Sequence, residues 1–443
     1  MKGEYAVKYS LPYGKYFLEF SLPAGSSLTT LEANPSRPLA DIRQAVSSAL
    51  ASPTGTLPLK ELVHAGEKVV IVTSDITRLS FRTDAYLPVI LDVLNSAGIP
   101  DADISVVMAT GSHRVQTAEE HRLIVGDEAY GRVRVIDHRC DAPDLAPAGV
   151  TSRGTEITVN RWVAEADRLI VTGGVSYHLL AGFGGGRKSL VPGVCSCRGI
   201  QQNHSLALTP QGVHPMVSTG VMDGNPAAED MLEGARLLEP DFLVNVVVNE
   251  RQEIVSVVAG ELEAAFLAGC RVVEETFGVK IPSQADLVIA SCGGYPKDIQ
   301  LYQAIKGLDN AAYAVRPDAP ILLLAECSDG LGSRDFLRWF DYGGPAAIQQ
   351  VLEQEFTMPG FVALRTAEIL AGHPVYLLSG LEADTAERLG MRPVRRLDQA
   401  LDHIFNSPAL GGEIRDILLM PHASLTFPIL ASVPTPARGE KPS

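Results

Sequence analysis

Two histidines stand in similar company along this chain. His113 follows the turn Ala109-Thr110-Gly111-Ser112, and His178 follows Val175-Ser176-Tyr177. Imidazole titrates near neutral pH, so a facing pair can serve as base on one side of a substrate and acid on the other. Each is equally a candidate hydrogen-bonded structural residue at a strand end. Arg78, closing Ser74-Asp75-Ile76-Thr77-Arg78, has the planar fork that suits a carboxylate or phosphate. Lys297, in Gly293-Gly294-Tyr295-Pro296-Lys297-Asp298, offers a point charge for the same kind of anion. Either cation is also consistent with an ion pair to a neighbouring acid. His204 is a lone imidazole in Gln201-Gln202-Asn203-His204. Imidazole suits nickel, copper and zinc, but one ligand makes no site. An all-protein metal site needs more donors than this neighbourhood supplies; a metal held mainly by an organic cofactor does not.

Residues 182–193 read GFGGGRKSLVPG. A P-loop requires glycine immediately before its lysine, and Arg187 stands there instead. The same arginine breaks the dinucleotide fingerprint that Gly182 and Gly184 begin. Lys188 therefore invites two readings. It is a surface cation gripping a phosphate, or an amine whose charge is disfavoured by adjacent Arg187, making it a nucleophile. The run Gly184-Gly185-Gly186 would also let the backbone approach a ligand closely.

Strand ends must position these groups. A short β-branched run, a Gly- or Asp-containing turn and a helical period recur at residues 68–75, 103–114 and 167–178, and again after residue 283. Leu87, Ile90, Leu91 and Leu94 share one helical face, residues 242–261 read as an antiparallel hairpin, and a long helix follows over about 261–277. The fold class expected is α/β: two α/β domains with mainly parallel sheets flanked by helices and an active-site cleft between them. The expected division is 1–278, 279–408 and a C-terminal segment with a flexible tail over 409–443. Open sheets of this kind bind ligands at the carboxyl ends of strands, where Asp75, Thr77, Arg78, His113, His178, Tyr295 and Lys297 all fall.

Composition narrows the class. With 46% hydrophobic and 20% charged residues, the chain can bury a sizeable core. A net charge of -15 argues against nucleic acid as a partner. No apolar leader or 18-residue apolar run is present, so neither a signal peptide nor a membrane partner is expected. The six cysteines, with Cys195 and Cys197 alone close together, read as reduced thiols of a cytoplasmic protein.

Taken together, SDITR, GSHR, SYHLLAGFGGGRKSLVPG, QNH and GGYPKD resemble the nickel-pincer lactate racemase family, over about residues 10–425. The resemblance implies a nickel-pincer nucleotide cofactor, a pyridinium-3,5-bisthiocarboxylic acid mononucleotide whose two thio-acid arms hold Ni. It implies that Lys188 is the covalent attachment point and His204 the protein ligand to the metal. His113 and His178 become the two acid–bases. Arg78 and Lys297 hold the substrate carboxylate, with Tyr295 nearby. Asp75, on the cofactor ribose, joins Thr77, Gly184, Gly185, Gly186 and Arg187 as cofactor-binding residues. The implied reaction racemises or epimerises a 2-hydroxy acid by hydride transfer to the cofactor through a 2-keto acid. Cofactor-building enzymes are the implied partners in the cell, beside the small 2-hydroxy carboxylate substrate. The family usually has proline after its Thr-Arg, where this chain has Leu79, which bears on the substrate. Two alternatives belong to other classes. An NAD(P)-linked dehydrogenase would need the fingerprint that Arg187 breaks; a non-catalytic cofactor-storage protein would have no use for both histidines.

Overall fold

The computed structural model of the chain describes residues 8–23, 26–406 and 414–431. It divides into two compact units. One holds residues 35–209 and 214–276; the other combines the described residues of 1–34 and 277–443 with 210–213.

The first unit is built on a six-stranded sheet. Its order is Ile254–Gly260, Phe242–Val248, Arg168–Gly174, Val69–Ser74, Ile104–Ala109 and Arg134–Asp137. All neighbours are parallel except the first pair, which forms the expected antiparallel hairpin. Val69–Ser74 (VVIVTS) and Ile104–Ala109 (ISVVMA) are buried at every position but the last. Such near-continuous apolar runs suit strands covered on both faces. The helix Thr83–Ser96 supplies part of that cover: Leu87, Ile90, Leu91 and Leu94 are all fully buried. The expected long helix spans Leu262–Phe277.

The second unit has its own six-stranded sheet, parallel throughout, in the order Arg392–Val394, Val375–Leu378, Ile321–Leu324, Leu287–Ser291, Asp416–Met420, Ser27–Thr30. The direction of winding reverses at Leu287–Ser291, the kind of switch point beside which α/β sheets open a crevice. The edge strand comes from the N-terminal 34 residues, which the sequence analysis assigned to a domain over 1–278. The hairpin Lys8–Tyr13/Tyr16–Ser21 explains the difference, because it sends Leu11, Tyr13 and Phe20 into the core that holds Leu287, Ile289 and Leu322. Asp416–Met420, inside the segment expected as separate, is an inner strand of the same sheet. The expected flexible tail over 432–443 lies outside the described residues.

One expectation is overturned. Cys140 and Cys197 form a disulfide, 57 residues apart in sequence. In sequence all six cysteines read as reduced thiols. Instead, the loop after Arg134–Asp137 carries Cys140 to the first residue of the helix Cys197–Ser205, where the Cys197 N–H also donates to the Cys140 carbonyl at 2.9 Å. Cys195, Cys270, Cys292 and Cys327 are free and buried. Among the described residues no helix is long and apolar enough to cross a membrane.

Candidate active site

Asp75 ends the Val69–Ser74 strand and caps the turn Ile76–Phe81. Its Oδ1 accepts from the Thr77 N–H at 3.2 Å and the Thr77 hydroxyl at 2.6 Å. Its Oδ2 lies 2.5 Å from His113 Nδ1. Asp75 is buried while His113, on the loop after Ile104–Ala109, is exposed. Burial alone would raise the Asp75 carboxyl. The hydrogen bonds from His113 and Thr77 and the charges of His113 and Arg78 outweigh it, holding the carboxyl below its ordinary range. With Nδ1–H donating to the carboxylate, His113 keeps its lone pair on Nε2, the arrangement of an oriented general base. Asp75 and Thr77, expected on a cofactor ribose, are here engaged with each other and with His113.

His178 is held differently. It pairs with Gly182 in the two-stranded ribbon Ser176–His178/Gly182–Gly184. Its Nδ1 accepts from the backbone N–H groups of Leu180 and Ala181, each at 3.2 Å. That nitrogen is therefore unprotonated, and the neutral ring carries its proton on Nε2. The two imidazoles thus present opposite faces: a lone pair at His113 and an N–H at His178.

Arg78 is exposed, its guanidinium donates to the Thr77 carbonyl at 3.4 Å and the Thr77 hydroxyl at 3.3 Å, and it makes no ion pair among the described residues. Its guanidinium is available to an anion.

Lys188 lies in the turn Gly186–Ser189. The glycines before it are required by protein packing. At Gly185 (φ +83°) a Cβ would come within 2.7 Å of the Gly174 carbonyl oxygen, and at Gly186 (φ +53°) within 2.6 Å of the Phe266 ring. Gly184 alone of the three has ordinary spacing, its nearest neighbour 3.5 Å away. Arg187 likewise faces inward: 1% exposed, it donates to the carbonyls of Ala181 at 2.8 Å and Ala228 at 3.3 Å and stacks on Phe266. Burial, then the charges of Arg78 and Arg187, push the Lys188 amine down to about 7. An appreciable share of it is then the uncharged nucleophile at neutral pH.

His204 is 4% exposed on the helix Cys197–Ser205. Its Nδ1 lies 2.9 Å from the Ile200 carbonyl and donates there, leaving the lone pair on Nε2. Burial, then the Lys188 charge, push its ring down to about 3, so it is neutral. A neutral imidazole with Nε2 unprotonated is the form that binds a metal. Among the described residues no group of three or more His, Cys, Asp or Glu side chains is placed to hold an ion. A metal at His204 would need its further donors from elsewhere, and an uncharged amine beside a neutral imidazole fits a group bonded to one and coordinated by the other.

A family model described as the lactate racemase N-terminal domain matches residues 13–214, and one for the lactate racemase C-terminal domain matches residues 281–420. The chain belongs to the lactate racemase family. Lactate racemase from Thermoanaerobacterium thermosaccharolyticum is 32% identical, over 88% of this chain and 92% of its own. Lactate racemase from Lactiplantibacillus plantarum is 31% identical, over 86% and 89%. The solved lactate racemase apoprotein from T. thermosaccharolyticum superposes with a TM-score of 0.85 at 30% identity, covering 96% of this chain and 100% of that one. Membership of the lactate racemase family makes the chain an isomerase.

The remaining residues expected from the lactate racemase resemblance, Tyr295 and Lys297, belong to the second unit. They lie on the loop after Leu287–Ser291, which is tied to the N-terminal hairpin. The Tyr295 N–H donates to the Gly14 carbonyl at 2.7 Å, and the Gly14 N–H donates to Asp298 Oδ2 at 2.7 Å. Tyr295 is exposed, with Lys15 Nζ 5.0 Å from its ring centre. Lys297 is half-buried, its amine lowered by burial, and makes no ion pair among the described residues. The sequence analysis passed over the helix that follows, Leu301–Ala312. Its first turns carry Tyr302, half-buried, and the exposed Gln303 and Lys306, with Lys306 Nζ donating to Gln303 Oε1 at 2.9 Å. Three polar groups within two turns, just past a strand end, were the available signal.

Proposed function

We propose that this chain racemises or epimerises a 2-hydroxy acid, lactate or a related 2-hydroxy carboxylate, using a nickel-pincer nucleotide bonded to Lys188. The observation that carries the reading is the pairing of a Lys188 amine pushed down to about 7 with a neutral His204 whose Nε2 holds the lone pair. When bound, the group would supply the electron sink that takes hydride from the substrate C2 and returns it to either face. Lys188 would tether it, and His204 Nε2 would be the protein donor to its nickel.

The chain's own residues do the rest. His113 Nε2 takes the substrate hydroxyl proton, and Asp75 offsets the positive charge that then develops on the ring. His178 presents Nε2–H to the substrate oxygen. For His178 to act as base in its turn, its proton must move from Nε2 to Nδ1, which then gives up its two backbone partners. Arg78 would hold the carboxylate, with Tyr295 and Lys297 as the other candidates and Lys306 as a competing one. Leu79, 38% exposed beside Arg78, adds apolar surface where the family usually has proline. Cofactor-building enzymes would be the partners in the cell, and the cytoplasm the location.

A panel of single-enantiomer 2-hydroxy acids, followed by optical rotation with protein made beside those enzymes, tests the reading. Loss of rotation without net oxidation is expected for at least one acid, and stoichiometric reduction of NAD(P)+ would contradict it.

A further inference from the structure

The helix Cys197–Ser205 presents His204 on one side and is gripped from another by a buried acid. Asn203, fully buried and immediately before His204, donates through Nδ2 to Asp230 Oδ2 at 2.8 Å and to the Ala227 carbonyl at 3.1 Å. Asp230, also fully buried, sits on the helix Pro226–Arg236. It accepts from the Thr155 hydroxyl at 2.8 Å and from the Thr151 hydroxyl at 2.5 Å. It makes no ion pair among the described residues. A carboxylate buried without a cation is costly unless hydrogen bonds satisfy it. What it provides here is a group that only accepts, taking three donors at once, which an amide cannot do.

The same helix backs the other half of the site. Arg187, next to Lys188, donates to the carbonyl of Ala228, two residues before Asp230. Asn225, which caps this helix, donates to the Leu180 carbonyl at 3.0 Å, within the segment leading to the glycine run. Pro226–Arg236 therefore registers two things against one backing: the turn that holds the amine, through Arg187, and the last turn of the imidazole's helix, through Asn203.

We infer that Asp230 is a positioning residue for the metal ligand, fixing through Asn203 where His204 Nε2 stands relative to Lys188. This rests on the reading of Lys188 and His204 given above. It assigns Asp230 no contact with substrate or cofactor. Its effect is geometric: a helix turn freed from Asp230 can rotate or slide, and a ligand nitrogen displaced in that way holds a metal less well.

The test uses the full chain produced in cells that make the cofactor, as wild type, Asp230→Asn, the reciprocal swap Asn203→Asp/Asp230→Asn, and Thr155→Val. Intact mass reads the adduct on Lys188. Elemental analysis during exposure to EDTA reads nickel per adduct over time, and thermal melting reads folding. Asp230→Asn is expected to keep the adduct and lose nickel about 10–100-fold faster. The swap restores a donor–acceptor pair between the two helices but leaves the Ala227 carbonyl without its Asn203 donor, so it should slow the loss only in part. Thr155→Val removes one of three donors and should fall between, which keeps the test open should Asp230→Asn not fold. Nickel held at the wild-type rate in adduct-bearing Asp230→Asn or Thr155→Val would overturn the inference. So would parallel loss of adduct, nickel and folded protein, the mark of a purely structural role. Wild-type protein without any adduct would instead strike the attachment reading itself, and this inference with it.

Discussion

His113 and His178 occupy comparable strand-end positions in one unit, yet their surroundings prepare them for different work. His113 hangs its Nδ1–H on a buried carboxylate, 2.5 Å away. His178 rests its Nδ1 on two backbone amides at 3.2 Å. A carboxylate welcomes a second proton on the ring it faces; a pair of N–H groups repels one. Two histidines that look interchangeable in sequence thus differ in form, one ring donating to a carboxylate and the other held in one tautomer by backbone amides. A reaction without handedness does not require a site without handedness.

That contrast can be broken by substitution. The largest effect is expected at His113→Ala, a fall in kcat of about 10²–10⁴-fold, the range for losing a positioned acid–base group. Undiminished turnover of either enantiomer would remove His113 from the mechanism. Asp75→Asn keeps the shape but replaces the acceptor-only group, and about 10–100-fold is expected in kcat. The loss should shrink in the His113→Ala background, because both changes remove one unit; full additivity would separate them. At His178 the comparison is between Asn, which retains a side-chain N–H, and Ala, which does not. His178→Asn should keep several-fold more activity than His178→Ala, and equal losses would contradict the donor role. The smallest expected effect touches neither histidine. Reducing the Cys140–Cys197 disulfide should lower stability by about 2–4 kcal/mol, read by denaturant unfolding, without altering the ratio between the two histidine variants. A reduction that changed that ratio would mean the disulfide shapes the site.

Much of this was legible in the sequence because it is local. Continuous β-branched runs marked the buried parallel strands, and the four leucine and isoleucine positions at 87, 90, 91 and 94 marked the covering helix. Polar groups at strand ends marked the residues proposed for the site. Arrangements made by distant segments left no such trace. Ser27–Thr30 and Asp416–Met420 lie side by side, yet nothing near either names the other. The Cys140–Cys197 disulfide and the Asn203–Asp230 bond likewise join segments that only the folded chain brings together. The glycine run shows a subtler limit. Composition suggested a ligand cradle, whereas Gly185 and Gly186 are small because a carbonyl and an aromatic ring press on them. Arg187, read as cofactor-binding, lies under the loop. Neighbouring residues Arg187 and Lys188 bear adjacent cations, and only packing says which faces inward.

The central claim is that Lys188 carries the group on which the reaction depends, and intact-mass analysis of protein made beside the cofactor-building enzymes tests it most directly. The account predicts an adduct of nickel-pincer nucleotide mass on Lys188, absent from Lys188→Ala together with all racemisation. A protein that racemises a 2-hydroxy acid at full rate with its Lys188 amine unmodified would contradict it.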